Sequence, residues 1–150
     1  MRAQIGPLSI ETLPWESLGE NGLRRKVLSH DPDTGAVTHY VHIPAKWQGS
    51  NMAHYHSSFE EAFIIEGDVT LTGRDDLVDG SYLYRPKGIV HGHHESAKQG
   101  CLCIIRMGGD LDFNYVHEPE SEEEYPISTS DDGRGHVLHL RSNDLDWTEQ

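Results

Sequence analysis

A chain of 150 residues with 35% hydrophobic content has the length of one domain and enough apolar side chains to bury most of the surface its unfolded form exposes. Its formal net charge of −13 is concentrated in residues 110–150, which hold 12 acidic and 2 basic groups; a negative surface repels phosphate backbones, so neither nucleic acid nor an anionic membrane is expected as a partner. No run of about 18 apolar residues is present, and the opening MRAQIGPLSIETLPWESLGE lacks the apolar core of a signal peptide and the arginine-rich pattern of a transit peptide, so a cytoplasmic location is expected.

Gly and Pro recur at short intervals along the chain, as in DPDTG, IPAKWQGSN, EGD, VDG, RPKG, KQG and MGGD, leaving pieces of mostly five to eight residues between them. That spacing is typical of an all-β protein. Near the start, PWESLGENGL is the one place for a short helical turn. AVTHYVHI alternates Val37, His39, Val41 and Ile43 against Thr38, Tyr40 and His42, the period of a half-buried strand. EAFIIEG and DVTLTG read as two consecutive strands, and CLCIIRM as a further β-branched run. In that run Cys101 and Cys103 share one face near the upper limit of disulfide reach, which predicts two reduced thiols serving as small core residues. Trp47 and Phe63 are read as core. The acidic run HEPESEEEYP is expected to be a solvated loop, and GHVLHLR a late strand that packs on the barrel or on a partner subunit. Many short strands in one domain point to a sandwich or a jelly-roll barrel, and strand edges left to cover make a homodimer the expected assembly.

The stretch HYHSSFEEAFIIEG, His54 to Gly67, raises the question of a metal. Two histidines two apart on a strand project from one face and can share an ion. Glu60 has the same parity, but in an unbroken strand it would lie about 20 Å away at ~3.3 Å per residue, too far for bonds of about 2 Å. A turn at Ser57, Ser58 and Phe59 removes that obstacle, ending one strand at His56 and starting the next at Glu60. Downstream, Pro86 and Gly88 predict a tight turn, with His91 following at the head of a new strand beside the first three groups. Three neutral imidazoles and one carboxylate suit iron(II), nickel, manganese or zinc. Glu61 competes with Glu60 for the carboxylate position; parity puts Glu61 on the other side of the strand.

GSNMAHYHSSFEEAFIIEG resembles the first cupin motif: Gly49, one residue nearer to His54 than is commonest, then His54-x-His56, three residues, Glu60, six residues and Gly67. GSYLYRPKGIVHGHHE resembles the second: Gly80, five residues, Pro86-x-Gly88, two residues and His91, with Glu95 where asparagine is usual. The resemblance implies one cupin domain over residues 1–150, an all-β double-stranded β-helix or jelly-roll barrel with core motifs at 49–95 and an acidic extension at 110–150. It also implies four metal ligands: His54, His56, Glu60 and His91. The sequences flanking the motifs resemble the branch that holds the cupin anti-sigma factors and the acetylacetone-cleaving dioxygenases.

That resemblance implies a small-molecule enzyme, with iron(II)-dependent dioxygenase cleavage of a carbon–carbon bond in a diketone or hydroxyketone as the leading reaction. A metal-dependent isomerase or lyase that uses no oxygen is the alternative within the enzyme class, and a zinc-binding sensory cupin the alternative outside it. Residues 1–35 are too short and turn-rich to supply a separate sigma-binding helical domain, which counts against the sensor. The expected catalytic groups are His93, of the same parity as His91 and a proton relay or a structural histidine; Glu61, as a second proton carrier; and Arg106, which binds an enolate or carboxylate oxygen if it points inward and otherwise forms a salt bridge at the barrel mouth.

Overall fold

The computed structural model describes residues 2–19, 21–49, 52–70, 76–92 and 95–116. Among the described residues eleven strands follow one another: β1 (Glu16–Ser17), β2 (Arg24–His30), β3 (Val37–Ile43), β4 (Trp47–Gln48), β5 (His54–Tyr55), β6 (Glu60–Thr70), β7 (Asp76–Val78), β8 (Tyr82–Arg85), β9 (Ser96–Ala97), β10 (Cys101–Met107) and β11 (Asn114–Tyr115). The larger sheet runs β1-β2-β3-β10-β6-β9-β4, with β7 and β8 also paired to β6, and a second sheet joins β11 to β5. Every named pairing is antiparallel. The predicted late strand GHVLHLR, the acidic loop before it and the histidines at 93 and 94 lie outside the described residues.

The alternation expected of β3 is present without exception: Val37, His39, Val41 and Ile43 are buried, and Thr38, Tyr40 and His42 are half-buried. Residues opposite one another in register share a face, so Cys103 and Ile64 join Val41, and Cys101 joins Ile43. These side chains with Trp47, Val69 and Ala97 form the core cluster. Ile64 is 1% exposed, and cutting such a residue back to alanine costs about 2–5 kcal/mol. Cys101 and Cys103 are buried and unbridged, as expected of core thiols.

Three local expectations are corrected. The two consecutive strands are one strand, β6, bent where Gly67 takes φ +92°. A Cβ on Gly67 would sit 1.9 Å from the Gly100 carbonyl oxygen, and the β10–β6 register shifts between Leu102 and Cys103; the bend lets β6 serve both halves of the barrel. PWESLGENGL is not helical, because Leu18 donates its N–H to the Leu23 carbonyl at 2.9 Å and closes a hairpin of β1 and β2; the short 3-10 turn lies upstream at Ile10–Thr12. Phe63 is 46% exposed on the outer face of β6, opposite Tyr82 of β8, and is not core.

Candidate metal centre

The turn at Ser57 and Ser58 separates β5 from β6 as required, and brings His54, His56 and the start of β6 to one end of the barrel. His91 joins them without belonging to a strand: it bridges His54 through backbone bonds in both directions, 2.7 Å from the His54 N–H to the His91 carbonyl and 2.8 Å back. Gly88, in the turn after Pro86, donates to the carbonyl of His56 at 2.9 Å. The second histidine segment is thus tied to both histidines of the first by main chain alone.

All three imidazoles are buried, at 4%, 4% and 5% exposure for His54, His56 and His91. One nitrogen from each lies within 4.8 Å of the other two. The tautomers of two rings follow from their partners, since a carbonyl only accepts. His56 Nδ1 donates to the Asp112 carbonyl at 2.5 Å, and His91 Nδ1 to the Ile89 carbonyl at 3.0 Å, so Nε2 of each carries a lone pair. His54 Nδ1 is buried with no hydrogen-bond partner. Burial pushes the His54 imidazole down to about 4, helped by the His56 charge. Burial also holds His91 well below the ordinary histidine range, with Arg85 adding to the effect. Neutral rings with converging lone pairs are what a divalent ion requires, and the three histidines can hold one.

Glu60, the expected fourth ligand, is buried beside the trio but engaged elsewhere. Its Oε2 accepts from Arg85 Nη1 at 2.7 Å and stands 3.6 Å from His91 Nε2. Glu61 and Arg106 are not brought to the centre. They face outward on β6 and β10, where Glu61 accepts from Arg106 at 2.7 Å through Oε2 and from the Tyr82 hydroxyl at 2.9 Å through Oε1. The Arg106 hydrogen bond holds the Glu61 carboxyl below its usual range. Arg106 therefore forms a salt bridge, on the outer face of the sheet and not at the barrel mouth where one was expected. Glu95 packs over Gly49, whose N–H reaches the Glu95 carbonyl at 2.9 Å, and burial pushes its carboxyl up to about 7.

Several residues around the histidines had not been singled out. Phe113 lies 5.1 Å from the His54 ring and 5.4 Å from that of His56, with Tyr115 at 6.0 Å from His54. Their segment is held by Asp112, whose carboxylate accepts from the Ser57 N–H at 3.1 Å, the Ser57 hydroxyl at 2.6 Å and the Asn114 amide at 2.6 Å. The signal was faint: LDFNY is a short alternating stretch that opens what otherwise reads as an acidic extension. Arg85 had a clearer one, as a cation that shares the parity of Leu83 and stands just before Pro86.

The family model described as the ChrR cupin-like domain matches residues 7–109. Among solved structures, the chain is similar to an RmlC-like cupin protein from Ralstonia eutropha, with 17% identity and TM-score 0.61 over 77% of this chain and 74% of that one. An acetylacetone dioxygenase from Acinetobacter johnsonii matches with 14% identity and TM-score 0.57 over 75% of this chain and 85% of that one. The Rhodobacter sphaeroides complex of SigE with the anti-sigma ChrR matches with 20% identity and TM-score 0.53 over 66% of this chain and 51% of that one. At these identities the likeness concerns the fold. No curated protein matches the chain.

Proposed function

Because this chain belongs to the ChrR cupin-like family and folds as an all-β cupin barrel, we propose that it is a metal-dependent enzyme acting on a small molecule, by iron(II)-dependent dioxygenase cleavage of a carbon–carbon bond in a diketone or hydroxyketone. The observation that carries this reading is the buried trio His54, His56 and His91, one ring nitrogen of each lying within 4.8 Å of the other two. His54, His56 and His91 would hold a divalent ion through neutral imidazole nitrogens, a donor set that iron(II) accepts. When bound, the ion supplies Lewis-acid orientation of the substrate and the oxygen chemistry.

The chain's own groups do the rest. The Asp112 and Ile89 carbonyls fix the His56 and His91 rings, so the donor atoms are set before any ligand arrives. Phe113 and Tyr115 cover the histidines, restrict water and offer aromatic faces to a flat enolate. Proton transfer is assigned to His93, which lies outside the described residues; Glu61, turned outward, is not needed for it. The working assembly is a homodimer.

Anaerobic metal analysis of freshly purified protein, followed by oxygen-electrode assays with iron(II) and small diketones, tests the proposal. Oxygen uptake equimolar with substrate loss supports it. Turnover without oxygen moves the assignment to an isomerase or lyase at the same centre. Tight zinc with no turnover moves it to a sensory role, the reading to which the family's ChrR name lends support.

A further inference from the structure

Tyr115 of β11 stands opposite His54 of β5 in register, and Asn114 opposite Tyr55. Residues paired in this way share a face, and side chains two apart on a strand share it too. Phe113 and Tyr115 therefore project from the same side of the small sheet as His54 and His56. The ring contacts agree: Phe113 is 5.1 Å from His54 and 5.4 Å from His56, and Tyr115 is 6.0 Å from His54. On that shared side the two histidines are 4% exposed, whereas Phe113 and Tyr115 are 46% and 55% exposed. Aromatic rings left half in water at the rim of a buried polar centre mark the side on which a ligand is covered. From this arrangement we infer that the substrate carries an aromatic or conjugated ring beside its metal-binding oxygens, and that Phe113 and Tyr115 are the residues that select it. The inference rests on the reading of the trio as the metal site of a small-molecule enzyme.

The shape of the pair favours a flat group over a bulky one. The two rings are 15° from parallel with centroids 6.3 Å apart, inside the range of about 4.5–7 Å at which aromatic rings touch. No third ring fits between them. A ligand ring lies instead along the row they form, where a flat π face meets more of their surface than a bulky alkyl group does.

The platform is set before a ligand arrives. Asn114, between the two aromatic residues, donates its amide to the Tyr55 carbonyl at 3.3 Å and to the Asp112 carboxylate at 2.6 Å, and Val116 donates its N–H to the Ala53 carbonyl at 3.0 Å. Little ordering entropy is then lost when a ring stacks on it. The chain that follows, HEPESEEEYP, is rich in carboxylates, which are a poor cover for aromatic faces because those faces are themselves electron-rich.

Zinc(II), which has no redox chemistry, lets binding be read without turnover. Zinc-loaded wild type, Phe113→Leu and Tyr115→Leu are titrated calorimetrically with three β-diketones that differ in one substituent: methyl (pentane-2,4-dione), cyclohexyl and phenyl. The expected result is that wild type binds the phenyl compound about tenfold more tightly than the cyclohexyl one, and that Phe113→Leu cuts this preference to about twofold or less, the scale of an aromatic pair beyond its buried area. Zinc content and pentanedione affinity stay unchanged. A phenyl preference that survives in both variants comes from the ligand's own chemistry and overturns the inference, as does a wild type that binds the phenyl and cyclohexyl compounds equally. Loss of pentanedione affinity in Phe113→Leu also overturns it, since the ring would then support the centre and not select the substituent. Should Phe113→Leu fail to hold zinc, Tyr115→Leu decides by the same ratio, and Phe113→Tyr, which keeps a ring, must retain the phenyl preference. Wild-type protein that takes up no zinc, or binds none of the three diketones, overturns the reading of the centre itself, an outcome distinct from any difference among variants.

Discussion

Gly92 lies against the imidazole of His54 so closely that a Cβ added to it would sit 2.3 Å from both Nδ1 and Cε1 of the ring. Its φ of +88° places the backbone in the region that only glycine enters without strain. Gly92→Ala should therefore cost about 1–3 kcal/mol of stability and, by pushing the ring aside, weaken zinc or cobalt binding by about tenfold or more. Gly80→Ala separates the two effects, because Gly80 has φ +81° with nothing within 4 Å of an added Cβ. It should lose stability and keep the affinity. Equal affinity losses in both variants, by calorimetric titration, would show that the contact with His54 does not matter.

The strap over the histidines depends on Asp112. Its carboxylate ties Ser57 and Asn114 together, and its carbonyl fixes the His56 ring. Asp112→Ala removes three hydrogen bonds at a polar site, each worth about 0.5–1.5 kcal/mol. Metal should dissociate to a chelator about tenfold faster than from wild type, and Asp112→Asn, which keeps one acceptor oxygen, should recover part of the loss. Unchanged chelator kinetics in Asp112→Ala would detach the strap from the metal centre.

How much of this could be read from the sequence follows from the range of each interaction. The turn between His56 and Glu60 was forced by parity and reach, both local quantities, and the trio of histidines followed. The burial pattern of β3 was equally local. The Arg85–Glu60 pair joins residues 25 apart in the chain through the β6–β8 register, which no periodicity encodes. The contact of Phe113 with His54 likewise depends on a two-residue pairing of β11 with β5. EAFIIEG and DVTLTG were split at Gly67 because glycine marks a turn and a bulge equally well, and only the Gly100 carbonyl beneath it tells them apart. Parity alone allowed Arg106 to be turned either way, and its register opposite Glu61 on the outer face settled it.

The outward pair gives a control for the whole centre. Glu61→Gln and Arg106→Gln should leave metal content unchanged and shift stability by about 0–1 kcal/mol, as expected of an exposed ion pair. Loss of metal in Glu61→Gln would show that Glu61 takes part in the centre despite its place on the outer face.

Assembly is tested on the outer face of β6 and β8, where Phe63 and Tyr82 sit opposite one another at 46% and 60% exposure, with Ile65 at 41% nearby. Large exposed apolar side chains grouped on one sheet face suit a partner subunit. A dimeric mass is expected by light scattering at micromolar concentration, and Phe63→Glu should reduce it to that of the monomer. A monomeric wild type would remove the homodimer from the proposal.

His39 supplies a pH dependence separate from the metal centre. It is 2% exposed on the inner face of β3, and neither of its ring nitrogens has a hydrogen-bond partner. Burial lowers its pKa to about 4; the Arg25 and His30 charges act in the same direction, and that of Glu16 opposes them. In the unfolded chain the ring titrates near its ordinary value of about 6.5. Between these values the unfolded state holds a proton that the folded state rejects, so this contribution is fully present above the unfolded pKa and is lost as the pH falls toward about 4. The span corresponds to a loss on the order of 3 kcal/mol. Replacing His39 with leucine should leave the protein at least as stable at neutral pH and flatten the acid side of its stability curve by that order. Urea unfolding across this range, with chelator present throughout, isolates the effect, because His54 and His91 contribute equally to both proteins. Parallel curves for wild type and His39→Leu would mean that His39 titrates alike in the folded and unfolded chain, and that its burial carries no penalty for charge.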